Sequence, residues 1–227
     1  MSTLLLRLAA PMQSWGLDSK FDIRGTQREP TKSGVLGLLA SALGLRRDDV
    51  QALSELAQLR FGVRVDREGK LLHDFHMAHG IKSDYVTRRD YLSDAVFLCG
   101  LESDDTELLQ KCAYALTHPA FPLFLGRRSC PPTLPLVLSI RDCNLETALR
   151  EEERLVDSCD TVRMELEVQA RDNTAAVVKD VPVSFSSLRR EFSYRKVREN
   201  MIPGMKQTEH DPFAEVEAEY VSDETGT

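Results

Sequence analysis

Long apolar runs are missing from this chain of 227 residues. A helix that crosses a bilayer needs about 18 or more consecutive apolar residues, and none occur, so a membrane-spanning helix is excluded. The opening run Leu4-Leu5-Leu6 is interrupted by Arg7 and is too short for a secretory signal, so the sequence predicts a soluble, cytoplasmic protein without a membrane partner. Cysteines are few and poorly placed for bridging. Cys99, Cys112, Cys130, Cys143 and Cys159 are odd in number, well separated and never form a C-x-x-C, which argues against a disulfide or zinc framework and for a reducing compartment. Aromatic residues make up only 7% of the chain, with one tryptophan, and no internal repeat is visible. The length nevertheless permits a substantial core, either one domain or a main domain with an appendage.

Positive charge is also short overall, since the formal net charge is −7. Its distribution matters more than its sum. Glu209 to Thr227 hold seven acidic side chains and no Lys or Arg, leaving 29 acidic against 29 basic groups in residues 1–208. The tail reads as a solvated, disordered acidic extension, and local clusters decide what the rest can bind.

What the chain does have begins with a buried strand at residues 4–10, broken by Pro11-Met12-Gln13-Ser14-Trp15-Gly16. Val35, Leu38, Leu39, Ala42 and Leu43 then mark one apolar helix face, and Asp48-Asp49 start a second helix running to about Leu59. Phe61 to Val65 and Ala95 to Cys99 read as strands, separated by a polar, basic excursion from about His76 to Arg89. Asp104 or Asp105 caps a helix whose apolar face is Leu109, Cys112, Ala113 and Leu116, and Phe121–Leu125 and Leu134–Ile140 supply further strands. Strand, helix, strand, strand, helix, strand is a ferredoxin-like plan. Past residue 141, Val162, Met164, Leu166 and Val168 alternate with charged residues, and with Val181 to Phe185 they predict a small second sheet.

Three basic clusters stand out. The first is the loop with Arg24, Arg28 and Lys32, which leads into Pro30-Thr31-Lys32-Ser33-Gly34 at a helix start, where unpaired backbone N–H groups and the helix dipole favour an anion. Lys32-Ser33 is not the end of a nucleotide-binding P-loop, because Pro30-Thr31 replaces the glycine that must precede the lysine. The second is Gly126-Arg127-Arg128-Ser129 before a diproline, suited to bidentate phosphate contacts with a hydroxyl beside them, or to a plain solvated turn. The third is Arg189-Arg190 with Arg195, Lys196 and Arg198. His73, His76 and His79 lack a completing Cys or carboxylate set, and on a strand His76 would face away from the other two, so no metal site is assigned. His76 or His79 with Lys82 and Tyr85 could instead supply a metal-free ribonuclease with a base, a stabiliser and a proton donor.

Three blocks, Leu6 to Gly16, Pro30 to Leu39 and Leu125 to Pro131, together resemble one family over about residues 3–200: the subunits of type I-E CRISPR Cascade complexes that hold the 5′ handle of the guide RNA (crRNA). The resemblance implies an α+β protein with a ferredoxin-like, RRM-like palm of the RAMP type over residues 1–140, carrying a thumb hairpin near 75–91. A small C-terminal β-rich region at 141–208 and the tail at 209–227 complete the expected division. It implies a non-catalytic subunit without cofactor that binds the crRNA 5′ handle, the Cascade backbone subunits and the large subunit, and meets target DNA only within the assembled complex. Arg24, Arg28, Lys32, Arg127 and Arg128 would then position phosphates, Gln13, Trp15 and Ser129 would contact bases or sugars, and Arg88 and Arg89 would add RNA contacts. Relatives in type I-C cut repeat RNA, so a metal-independent endoribonuclease is the alternative.

Overall fold

The structure is a computed structural model, and it describes residues 1–16, 23–79, 84–157, 161–169, 172–186 and 189–203, without the side chains of His76 and Ala78. Its organising strand is β1 (Ser2–Ala9), in which Leu4, Leu5, Leu6 and Leu8 are all fully buried. Successive buried leucines such as Leu4-Leu5-Leu6 suit a strand covered on both faces. Antiparallel pairing joins β1 to β7 (Val96–Ser103) and β8 (Val137–Arg141), and β7 to β4 (Arg60–Arg67). Leu4, Leu6 and Leu8 point into a core shared with α1 (Lys32–Ala42) and α3 (Thr106–Thr117), and α2 (Val50–Ala57) adds Leu56. Leu5 faces the other way, against Leu145, Ala148 and Leu149 of α4 (Leu145–Glu151). Asp49 and Asp105 cap α2 and α3 as the sequence predicts.

The C-terminal strands depart from expectation. β9 (Val162–Val168) alternates as predicted, but it pairs with β4 and is followed across the sheet by β11 (Arg190–Ile202) and β10 (Ala176–Phe185). The result is one seven-stranded antiparallel sheet in the order β10-β11-β9-β4-β7-β1-β8, not a small second sheet. Alternation tells that one face is buried; it carries no information about which strand lies alongside. Residues 121–125, expected as a strand, are irregular, in keeping with Pro122, which offers no N–H to a ladder.

A second sheet does exist elsewhere. β5 (Lys70–Ala78) and β6 (Tyr85–Ser93) form a hairpin, and the other edge of β6 takes the two-residue strands β2 (Met12–Gln13) and β3 (Ile23–Arg24). The fold is therefore mixed α/β and mostly antiparallel, with β3 parallel to β6.

One buried guanidinium ties α4 to the large sheet. Arg64 on β4 donates from Nε and Nη2 to the Asp66 carboxylate at 2.6 and 2.8 Å, and from Nη1 and Nη2 to the carbonyls of Leu149, Glu152 and Glu153 at the end of α4. Each donor is used, and helix carbonyls that would lack partners are satisfied. Arg64→Met strips the buried Asp66 carboxylate of its bidentate partner and leaves it the Leu155 N–H at 2.8 Å and Arg154 Nη1 at 3.7 Å, so the variant should lose about 3 kcal/mol of stability in urea unfolding. Breaking the exposed Arg46–Asp48 pair in the same assay should leave the midpoint unchanged.

Candidate nucleic-acid interface

The loops that leave β1 and enter α1 pack on each other. Gln13, buried, donates from Nε2 to the Leu8 and Ala95 carbonyls at 3.2 and 2.8 Å and accepts the Trp15 indole N–H at 3.2 Å. The indole, 1% exposed, lies flat against Gly34, where a Cβ would come within 2.8 Å of Trp15 Cε3. Thr31 caps α1 by accepting the Gly34 N–H at 3.2 Å. The Pro11-to-Gly16 and Pro30-to-Gly34 blocks are thus two halves of one packed unit. This corrects the roles expected for Gln13 and Trp15: both are turned inward and satisfied by the protein, because the indole fills the gap that glycine leaves on the helix.

Lys32 needs the same correction. It is 1% exposed, and its ammonium binds both oxygens of Glu167 at 3.1 and 2.9 Å. Burial pulls its pKa below the ordinary lysine value, against the opposing pull of Glu167. The N-terminus of α1 does receive an anion, as the sequence suggested, but it is the Asp180 carboxylate of β10, which accepts the Lys32 N–H at 2.8 Å. Arg195 clamps the same carboxylate at 2.6 and 2.9 Å and reaches Glu165 at 2.7 Å. No phosphate is needed where Asp180 already sits.

The arginines behave differently. Gly126 has φ +84°, and a Cβ there would lie 1.6 Å from the Ser14 carbonyl oxygen, so only glycine lets this turn close on the β1–β2 region. Ser14 N–H to Leu125 C=O, Leu125 N–H to Cys130 C=O and Cys130 N–H to Arg127 C=O complete the turn. It sends the Arg127 guanidinium over the Tyr91 ring, 4.5 Å from the centroid, with Nη2 donating to the Arg24 carbonyl at 2.5 Å. The β3–β6 pairing sets Arg24 opposite Arg89 and Ile23 opposite Arg88. Arg24, Arg89 and Arg127, from three separate segments, are in this way brought together on the Tyr91 side of β6, while Arg88, one position off along the strand, faces the other way. Arg127 Nη1 and Arg89 Nε are buried donors without a partner among the described residues. Arg128 and Ser129 stand exposed at the turn, while Arg28 lies to one side, paired with Glu68 at 3.0 Å. Arg88 lies near Asp90 and His73, at 3.6 and 3.3 Å. Tyr91 was not singled out in the sequence, since its role depends on Arg127, distant in the chain.

Among the described residues no group of three or more His, Cys, Asp or Glu side chains could hold a metal. His73 Nδ1 lies 2.7 Å from Asp90 and His79 Nδ1 lies 3.0 Å from Asp84, beside exposed Tyr85. Lys82, the His76 side chain and the acidic tail lie outside the described residues. Buried Cys112 has its thiol pushed up to about 11 by desolvation, so it stays protonated and inert.

The protein is thus a mixed α/β, mostly antiparallel sheet protein whose loop end gathers arginines beside an aromatic ring. The chain belongs to the Cas5 family: the family described as CRISPR-associated protein (Cas_Cas5) matches residues 3–198. It is 40% identical over 157 residues to the CRISPR system Cascade subunit CasD of Escherichia coli (strain K12), a match covering 60% of this chain and 70% of that protein. A chain of a solved CRISPR RNA-guided surveillance complex superposes with a TM-score of 0.71 at 36% identity, covering 88% of this chain and 91% of its own. A second solved structure, titled a crystal structure of a Cas protein, gives 0.67 at 42% identity, covering 89% and 95%.

The Gly126 geometry makes a sharp prediction. Gly126→Ala should cost about 1–3 kcal/mol and displace the arginine turn, whereas Gly25→Ala, with open space at its Cβ position, should be silent. Thermal unfolding of the two variants checks both.

Proposed function

We propose that this chain is a non-catalytic RNA-binding and assembly subunit of a type I-E CRISPR Cascade complex, holding the 5′ handle of the crRNA at the arginine cluster. The observation that carries this reading is the pair of buried donors Arg127 Nη1, on the guanidinium stacked over Tyr91, and Arg89 Nε, on the neighbouring strand, neither with a partner among the described residues. Such donors are costly unless a ligand accepts from them, and phosphate oxygens do so bidentately. Arg24, Arg89, Arg127 and Arg128 are the phosphate contacts, with Arg28, Arg88 and Ser129 at the margin. Identity to a Cascade subunit and likeness to a surveillance complex support the assembly role. In this reading the protein works in the cytoplasm, capping the backbone subunits beside the large subunit, and meets target DNA only in the assembled complex.

The same proposal reads residues 1–140 as a ferredoxin-like palm. Support comes from the run β1-α1-β4-β7-α3-β8 and its strand order β4-β7-β1-β8, the arrangement of that plan. The β5–β6 hairpin is the thumb, residues 141–208 form the C-terminal β-rich region that widens the palm's sheet, and 209–227 are the tail. Phe75, Met77 and Val86 lie exposed on one hairpin face, an apolar strip that a neighbouring subunit would cover. His79 paired to Asp84 beside Tyr85 favours the endoribonuclease as a second reading.

Binding of handle-containing RNA should fall with salt by about 0.7 log units per neutralised phosphate for each tenfold rise, so Arg127→Ala with Arg128→Ala should weaken binding and flatten that slope by about 1.4. Unchanged affinity and slope would remove the turn from the site. Excess protein incubated with its repeat RNA in EDTA should leave it intact; specific cleavage abolished by His79→Ala or Tyr85→Phe would establish the enzyme instead.

Replacing residues 76–86 with a short Gly-Ser turn should leave the melting temperature unchanged, because Met77, His79, Asp84, Tyr85 and Val86, the side chains described there, are exposed. Recovery with tagged backbone subunits and guide RNA should drop. Normal recovery would take the hairpin out of assembly.

A further inference from the structure

The third basic cluster is divided by its strand. The two-residue period of β11 turns Arg195 and Val197 inward toward α1, where Arg195 joins the Asp180 clamp, and sets Arg190, Phe192, Tyr194, Lys196 and Arg198 on the opposite face. On that face α4 covers Met164, Leu166 and Ile202, but the part of the sheet formed by β10 and the start of β11 extends past it. Tyr194 is 63% exposed there and Val177 61%. Lys179 Nζ stands 5.6 Å from the Tyr194 ring centroid. Lys196 and Arg198 are held in place by Asp172, the first through its carbonyl at 2.8 Å and the second through its carboxylate. Arg190 makes no ion pair among the described residues. The strip therefore presents four cations against one acid, around an open aromatic face.

We propose that the outer face of β10 and β11 is a second docking strip, distinct from the arginine cluster around Tyr91, for a single-stranded nucleic acid. Tyr194 is the stacking platform, and Lys179, Arg190, Lys196 and Arg198 meet the backbone phosphates. An exposed aromatic ring interleaved with cations on an open sheet face is how sheet-based modules hold unpaired bases, because every base has a stackable face. Successive outward positions on β11 are ~7 Å apart, so ring and cations are stepped along the strand, matching a ligand that repeats base and phosphate along its length. An apolar protein partner fits less well, since cations surround the one exposed ring and a hydrophobic centre is missing.

The test uses the full chain with fluorescent oligonucleotides of about 15 nucleotides, oligo-U RNA and oligo-dT DNA, read by anisotropy and by ultraviolet crosslinking with mapped peptides. Tyr194→Ala and the pair Lys179→Ala with Arg190→Ala are compared in the natural background and with Arg127→Ala and Arg128→Ala added. None of the five substituted side chains belongs to the hydrophobic core, so folding is preserved. The expected result is a crosslink at Tyr194 that survives loss of the loop arginines, and binding about tenfold weaker in Tyr194→Ala. Equal effects on both oligonucleotides assign a strip that reads stacking alone; a loss confined to oligo-U assigns ribose recognition and hence RNA. A crosslink confined to the 124–130 turn, with Tyr194→Ala unchanged, overturns the strip while leaving the proposed handle site intact. A crosslink only at Tyr194 does the reverse.

Discussion

The carboxylate of Asp180 is the point on which the rest of the structure depends. It closes the N-terminus of α1 through the Lys32 N–H and fixes Arg195 of β11 with two further bonds. Glu165 accepts from the same Arg195 Nη2 that binds Asp180, and Glu167 takes the Lys32 ammonium and the Phe61 N–H. Strands β4, β9, β10 and β11 are thereby registered against one helix end. Desolvating so many charges gives back much of their Coulomb attraction, so the array does more to select one register than to add stability. Slipping β10 by one residue would aim Asp180 away from Lys32 and Arg195 and leave their charges buried alone.

That constraint decides where an external anion can bind. The helix end that looks open in the sequence is neutralised from within, and the packed unit of Gln13, Trp15 and Gly34 is buried beside it. Arg89 Nε and Arg127 Nη1, buried donors without a hydrogen bond among the described residues, lie where β3, β6 and the Gly126 turn meet, and Nη1 of Arg154 and of Arg195 are likewise without one elsewhere in the fold. Much of what is distinctive in the two N-terminal motif blocks is consequently a packing device, and its service to binding is indirect: it builds the floor on which Arg127 lies. Arg127 itself is held in place, stacked on Tyr91 and tethered to the Arg24 carbonyl, so it keeps little side-chain freedom.

Charge also sorts by face. Inward-pointing residues of the C-terminal strands form closed ion pairs, while outward positions of β11 carry cations and an exposed ring. A net charge of −7 conceals this arrangement entirely, since the acidic surplus sits in the last nineteen residues.

The sequence by itself determined the local elements. The Leu4–Leu8 run specified a strand buried on both faces, Asp49 and Asp105 specified helix starts, and the alternation at 162–168 specified a half-buried strand, because each signal is written in neighbouring residues. It also showed that arginines gather near Arg24, Arg88 and Arg127. Tertiary structure alone decided which cations face outward: Lys32 and Arg128 are both exposed charges by composition, yet one is enclosed by Glu167 and the other is free. It alone added β9 to β4 and Tyr91 to Arg127. The physical reason is the same in each case: the partner of a buried charge or of a strand edge is chosen by register across the sheet, and the partner lies tens to more than a hundred residues away, where local pattern has no reach.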